Sequence, residues 1–197
     1  MPEIENMFSK VDVSIVIISW NTRQMLDQCI KSIYATTNNI KYEIIVVDNA
    51  STDGSPEAVE EQFPQVKLIR NKENLGFAKG NNIGMRASTG RYVCLVNSDV
   101  IVQNGCIEKL VEFMDANPSV GLAGPRILNP DRSLQVSCRH FPSLWNNLCQ
   151  VLGFNKLFPK SVFFSEPFMK YWAHDEMRKV DAFQAHIDKV VTELTTN

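Results

Sequence analysis

The chain has 197 residues, 20 Lys plus Arg against 22 Asp plus Glu, a formal net charge of −2 and 44% hydrophobic residues. That size and composition suit a globular fold whose core needs neither disulfides nor structural zinc, and they exclude a disordered chain. The near-balanced charge, with no run of Lys or Arg, offers nothing to a nucleic-acid backbone, so nucleic acid is not an expected partner.

Cys29, Cys94, Cys106, Cys138 and Cys149 form no CxxC pair and no Cys/His spacing suited to zinc, so reduced thiols are expected. The opening MPEIENMFSKVD is polar and acidic, unlike a secretory leader, and no apolar run approaches the roughly 18 residues of a membrane span. The expectation is a soluble, cytoplasmic chain that could sit peripherally at a membrane.

Residues 1–12 read as an extension. Val13 to Ser19 (VSIVIIS) is a β-branched run of the kind buried on both faces of a parallel sheet, and Glu43 to Val47 (EIIVV) is a second. Between them Met25, Leu26, Cys29, Ile30 and Ile33 recur at helical spacing behind Thr22, a candidate cap. Strand, helix and strand make a βαβ unit, and a right-handed crossover makes the two strands parallel. Ser55-Pro56 opens a second helix that ends near Phe63, Val66 to Ile69 is a third strand, Asn81 to Ala87 a helix and Tyr92 to Val96 a fourth strand. Asn104 starts a helix with Ile107, Leu110, Val111 and Met114 on its apolar side, and Val120 to Ala123 reads as a further short strand. The fold class is therefore α/β, a mostly parallel sheet flanked by helices, with ligands expected beyond the carboxyl ends of the strands.

Beyond Gly124 prolines and aromatics accumulate without a period, an irregular segment with helix expected around Leu144 to Leu152. From Val180 onward Phe183, Ile187, Val190 and Leu194 share one helical stripe, which predicts a terminal amphipathic helix over 181–197 able to mediate self-association. The domain reading is 13–142 for the main α/β domain, 143–180 for loops and short helices, and 181–197 for the helical tail.

Polar clusters follow three of the strands: Trp20-Asn21-Thr22-Arg23, then Asp48-Asn49-Ala50-Ser51-Thr52-Asp53-Gly54, then Asn97-Ser98-Asp99. A carboxylate at a strand end costs desolvation unless it accepts hydrogen bonds or meets a cation, so Asp48 and Asp99 are candidate ligand contacts. The plainer alternative is that Asp48 and Asp53 form Asx turns and helix caps. The segment from Asn74 to Gly84 (NLGFAKGNNIG) has glycines spaced by four, which matches neither a dinucleotide fingerprint nor a phosphate-binding P-loop. Its glycines could admit a diphosphate or sugar, or could simply let a helix pack closely.

In order, VSIVIISWN, EIIVVDNASTDGS, NLGFAKGNNIG and GRYVCLVNSDV resemble the family 2 glycosyltransferases of GT-A fold, in particular their rhamnosyltransferase-like branch, over about residues 13 to 142. The resemblance implies a nucleoside-diphosphate sugar donor of thymidine or uridine type, a saccharide or lipid-linked acceptor, transfer with inversion, and a role in cell-surface polysaccharide synthesis. It places Ser19, Trp20, Asn21, Asp48, Asn49 and Ser51 around the nucleotide, with Asn21 lining the base pocket and Asp48 contacting the base. It sets Asn74, Gly76, Phe77 and Asn81 beside the nucleotide and sugar. Asn97, Ser98 and Asp99 match the family's DxD signature, with Asn97 in place of the first acid and Asp99 as ligand to Mg²⁺ or Mn²⁺. A hard cation of this kind bridging the diphosphate oxygens would stabilise the leaving group.

The family's general base lies in an acceptor half that this chain is expected to lack, and only Asp175 and Glu176 stand as weak substitutes. The alternative function is accordingly a non-catalytic nucleotide-sugar-binding or interaction module.

Overall fold

A computed structural model describes residues 11–135, 137–139, 141, 143–158, 161, 172, 178–180, 182–183 and 190–193. The chain divides into two compact units, one ending at Ala123 and one beginning at Gly124.

The first unit is built on a parallel four-stranded sheet of β1 (Val13–Ser19), β2 (Tyr42–Asp48), β3 (Lys67–Arg70) and β4 (Tyr92–Asn97), in the order β3-β2-β1-β4. Its central strand explains the unbroken apolar run: Ile15, Val16 and Ile17 are all fully buried, so both faces of β1 are covered. Helix α1 (Arg23–Thr36) turns Leu26, Cys29, Ile30 and Ile33 inward, as the spacing predicts. Helix α2 (Ser55–Gln62) carries Pro56 in its first turn, where a missing N–H costs nothing.

On one face Val16, Ile45 and Val47 pack with Ile83 and Ala87 of α3 (Gly76–Ala87). That helix begins five residues before the predicted Asn81; Gly76 and Gly80, poor helix formers in its first turns, hide that start from the sequence. It approaches β1 so closely that a Cβ on Gly84 would lie 2.2 Å from Val16 Cγ1. Val93 and Leu95 of β4 remain exposed.

The short β5 (Val100–Val102), absent from the sequence reading, follows β4, and Ser32 Oγ of α1 accepts the Val102 N–H at 3.0 Å. Helix α4 (Cys106–Ala116) completes the unit. Val120 to Ala123, expected as a strand, is not one; Asn117-Pro118 has just ended α4, and the chain forms irregular backbone until Arg126.

At the amino ends of the strands a single carboxylate ties three segments together. Glu43 Oε1 accepts Ser14 Oγ at 2.6 Å and both the N–H and the hydroxyl of Thr89 at 2.7 Å, while Ser14 Oγ accepts the Gly90 N–H at 2.9 Å. Burial would raise the Glu43 carboxyl, but the hydrogen bonds from Ser14 and Thr89 outweigh it and hold the group below its usual range. A depressed folded value means that this stabilisation is present above the unfolded pKa and is lost as pH falls through the folded one. Glu43→Gln is expected to cost about 1–3 kcal/mol at neutral pH. Thermal unfolding should show the gap from the parent closing as pH falls through and below the usual carboxylate range; a gap independent of pH would refute the charge assignment.

In the second unit β6 (Arg126–Leu128) pairs antiparallel with β9 (Val190–Glu193), and β7 (Cys138–Arg139) pairs antiparallel with β8 (Ala182–Phe183). Helix α5 (Leu144–Val151) falls where expected and is followed by the single turn α6 (Phe154–Leu157). The terminal helix is a correction: the described residues of 181–197 are the strands β8 and β9. Val190-Val191-Thr192 is a β-branched triplet, which favours extended backbone once a partner strand supplies the ladder. Of the proposed association stripe, Ile187 and Leu194 lie outside the described residues, as do the candidate bases Asp175 and Glu176. Among the described residues no helix is long and apolar enough to cross a membrane.

Candidate functional site

The strand register brings the three polar clusters together. Ser19 stands opposite Asp48 across β1 and β2, and Ile18 stands opposite Asn97 across β1 and β4, so the chain leaves three neighbouring strands at one level. The following loops are therefore neighbours.

Two of the loops are bonded to each other. Asn21 donates its N–H to Ser51 Oγ at 2.9 Å and accepts the Thr52 N–H on Oδ1 at 2.8 Å. Both loops hold a left-handed non-glycine residue, Asn21 at φ +53° and Ala50 at φ +60°. Asparagine tolerates that conformation; for Ala50 it costs on the order of 1 kcal/mol, which the surrounding bonds offset.

Asp53 settles into the plainer of its two readings. Its carboxylate accepts the Ser55 N–H at 3.0 Å and the Ser55 hydroxyl, and it accepts the Arg23 N–H at 2.8 Å. It thus satisfies an N-terminal donor in each of α1 and α2; for α1 that is the task predicted for Thr22. Burial raises the Asp53 carboxyl, yet these bonds outweigh it and keep the group below its usual range. Thr22 is instead a link between strand ends: its hydroxyl donates to Ser98 Oγ at 3.0 Å and lies 3.0 Å from Ser19 Oγ. No local sequence signal could have found a bond between residues so far apart in the chain.

Asp48 is different. Its side chain is buried at 2% exposure; Oδ2 accepts the Ser51 N–H at 2.9 Å, but Oδ1 is buried with no hydrogen-bond partner. The Asx-type turn accounts for one oxygen and leaves the other available to a donor. A buried oxygen in that condition is costly and in native proteins usually answers to a ligand or water.

Asn49, also buried, joins this corner to α3: Nδ2 donates to the Gly76 carbonyl at 3.4 Å and Oδ1 accepts Asn71 Nδ2 at 2.8 Å. Asn74 Oδ1 accepts the Gly76 N–H at 2.9 Å, and Gly76 itself has φ +75° with nothing within 4 Å of a built Cβ. Asn81 turns its amide back onto the Phe77 carbonyl at 3.1 Å, so its side chain serves the helix. Trp20 and Phe77 are 54% and 57% exposed, two aromatic faces that the packing of the first unit leaves uncovered.

Asn97 ends β4 and accepts the Cys29 thiol on its carbonyl at 3.6 Å. Ser98 is buried, and Asp99 is half-buried in the turn to β5. Burial pushes the Cys29 thiol far up, and the charges of Asp99 and of Cys94 add to it, so the sulfur stays neutral beside this turn. Among the described residues no group of three or more His, Cys, Asp or Glu side chains is gathered that could hold a metal ion. The oxygen donors at this turn, with Asp99 as the carboxylate, suit a hard divalent cation. They fall short of a full coordination shell, so such an ion would take further ligands from water or a bound anion.

Comparison with known proteins extends this geometry. The model of the family described as Glycosyl transferase family 2 matches residues 14–173. N-acetylglucosaminyl-diphospho-decaprenol L-rhamnosyltransferase of Mycobacterium tuberculosis is 30% identical over 141 residues, covering 66% of this chain and 46% of that protein. Mannosyltransferase PcManGT from Pyrobaculum calidifontis, solved with GDP-Man and Mn²⁺, superposes with a TM-score of 0.52 at 25% identity, over 72% of this chain and 39% of its own. S. aureus TarS 1-349 in complex with UDP-GlcNAc gives a TM-score of 0.51 at 20% identity, over 60% and 34%. The chain spans less than half the length of each.

Proposed function

Because the chain belongs to glycosyl transferase family 2 and has the mostly parallel, helix-flanked sheet of GT-A enzymes, we propose that its strand-end cluster binds the nucleoside diphosphate of a sugar donor. The sugar passes, with inversion, to a saccharide or lipid-linked acceptor in cell-surface polysaccharide synthesis. The relatives named above support this reading through their own donors and acceptor.

The observation that carries it is Asp48 Oδ1, a buried acceptor with no partner, at the strand end from which one of two mutually bonded loops leaves. A uracil or thymine ring presents an imide N–H, the donor such an oxygen lacks. Trp20 or Phe77 offers an exposed ring against which a base or sugar can stack. Gly76, with no side chain and open space around it, lets backbone come close to the donor. Asp99 would hold Mg²⁺ or Mn²⁺, and the cation when bound would neutralise charge that develops on the departing diphosphate.

Asp48→Asn tests the base contact. It is expected to weaken uridine or thymidine diphosphate at least tenfold in calorimetric titration, because the amide offers a donor toward the imide, while leaving inorganic diphosphate unaffected. An equal loss for both ligands, or no loss for either, would remove Asp48 from the base pocket.

A further inference from the structure

Helix α5 leaves an apolar stripe in water. Among its described side chains Cys149 is the buried one, whereas Leu144 and Val151 are 90% and 84% exposed and Leu148 lies between them on the same side. Residues at i, i+4 and i+7 share one face, so the most apolar stripe of the helix points to solvent. Leu152, Leu157 and Phe158, within and beside α6, are exposed as well, and Trp145, next to Leu144 in the sequence, is 42% exposed. Leaving this much clustered apolar surface in water is unfavourable and marks a surface that something covers.

Charge identifies the occupant. Between Asp131 and Glu166 the sequence has no acidic residue, while Arg132, Arg139, Lys156 and Lys160 fall in that interval of a chain whose net charge is −2. An apolar helix face with a tryptophan next to it in the sequence, in a segment with basic residues and no acid, is complementary to an anionic lipid surface. A protein groove would supply the apolar half of that match without the uniform negative charge.

We infer that the exposed face of α5 and α6 is an interfacial docking site for an anionic bilayer, in which Leu144, Leu148 and Val151 enter the headgroup boundary. The inference rests on the reading of this chain as a transferase with a lipid-linked acceptor: such an acceptor is held at the bilayer surface, and docking would raise its concentration near the enzyme.

The test is co-sedimentation of the full chain with phosphatidylcholine vesicles, with and without about one third phosphatidylglycerol. The chain is expected to partition onto the anionic vesicles at least tenfold more than onto the neutral ones, with the difference shrinking as salt is raised. Leu144→Gln with Leu148→Gln is expected to lower anionic partition at least tenfold, and Val151→Gln, at a separate exposed position, to lower it in the same direction. Tryptophan fluorescence of the chain should be quenched by brominated lipid, and Trp145→Phe should remove most of that quenching. No partition by the parent, or equal partition by parent and variants, would overturn the inference. A lipid-free dimer that the same variants dissociate would overturn it in favour of a second copy. Titration of the same samples with uridine and thymidine diphosphates in the presence of Mn²⁺ keeps the two readings apart: retained donor binding without vesicle binding sinks the docking site alone, and absent binding of both sinks the donor site.

Discussion

Asp99→Ala is expected to abolish the metal-dependent component of donor binding, lowering affinity for uridine or thymidine diphosphate about hundredfold in the presence of Mn²⁺, equivalent to ~2.8 kcal/mol. The size of the effect follows from the donor set. Asp99 is the carboxylate of the turn that joins β4 to β5, and no cluster of three or more metal-binding side chains exists among the described residues to replace it. A cation that takes most of its ligands from water and diphosphate loses its protein anchor when that carboxylate goes. Far-ultraviolet circular dichroism should be unchanged. Titration with and without Mn²⁺ gives the answer: equal affinities in parent and variant under both conditions would show that no cation is held there.

Gly84→Val is expected to destabilise the first unit by about 3 kcal/mol or more. A Cβ at this position would lie 2.2 Å from Val16 Cγ1 and 3.3 Å from Val16 Cβ and Cγ2. Val16 cannot yield, because it is β-branched, fully buried and on the central strand, where any displacement is felt by β2 and β4. Gly84→Ala should show the same clash in milder form. Combined with Val16→Ala it should lose much less than the two single effects added, since the shorter side chain makes room. Gly121→Ala is the control, having nothing within 4 Å of a built Cβ. Denaturant unfolding that ranked Gly121→Ala beside Gly84→Val would mean that α3 and β1 are not in close contact.

The spacing of three glycines in NLGFAKGNNIG was legible from the sequence; its division of labour was not. Gly84 serves packing, as one reading proposed, whereas Gly76 opens the helix and stands clear of neighbours. Composition separates these roles poorly because both need only the absence of a side chain. The strands β1 and β2 and helix α1 could be read directly, since a strand buried on both faces and a helix with a buried stripe each leave a periodic trace.

Val100–Val102 leaves no trace in the sequence, because three residues are too few to show a period. The C-terminal strands failed for another reason. Phe183, Ile187, Val190 and Leu194 fit a helical stripe, but pairing with β6 and β7 decides the backbone at Phe183 and Val190, and pairing between distant segments has no local signature. At the site the sequence marks the strand-end carboxylates as candidates, while the partners that decide between cap and contact, Arg23 and Ser55 for Asp53 against none for Asp48 Oδ1, come only from the folded chain.

The bonds from Asn21 to Ser51 and Thr52 bear on how this site can change over time. Because each loop supplies the partner that holds the other in a left-handed turn, neither can be redrawn alone. A substitution that removed the Asn21 acceptor would strand the Thr52 N–H, and one that removed the Ser51 hydroxyl would release the Asn21 backbone. Changes of donor preference that pass through these loops should therefore be inherited in pairs. Descendants of this fold with a new residue at position 21 are expected to carry a compensating one at 51 or 52, a linkage that a survey of homologous sequences can count.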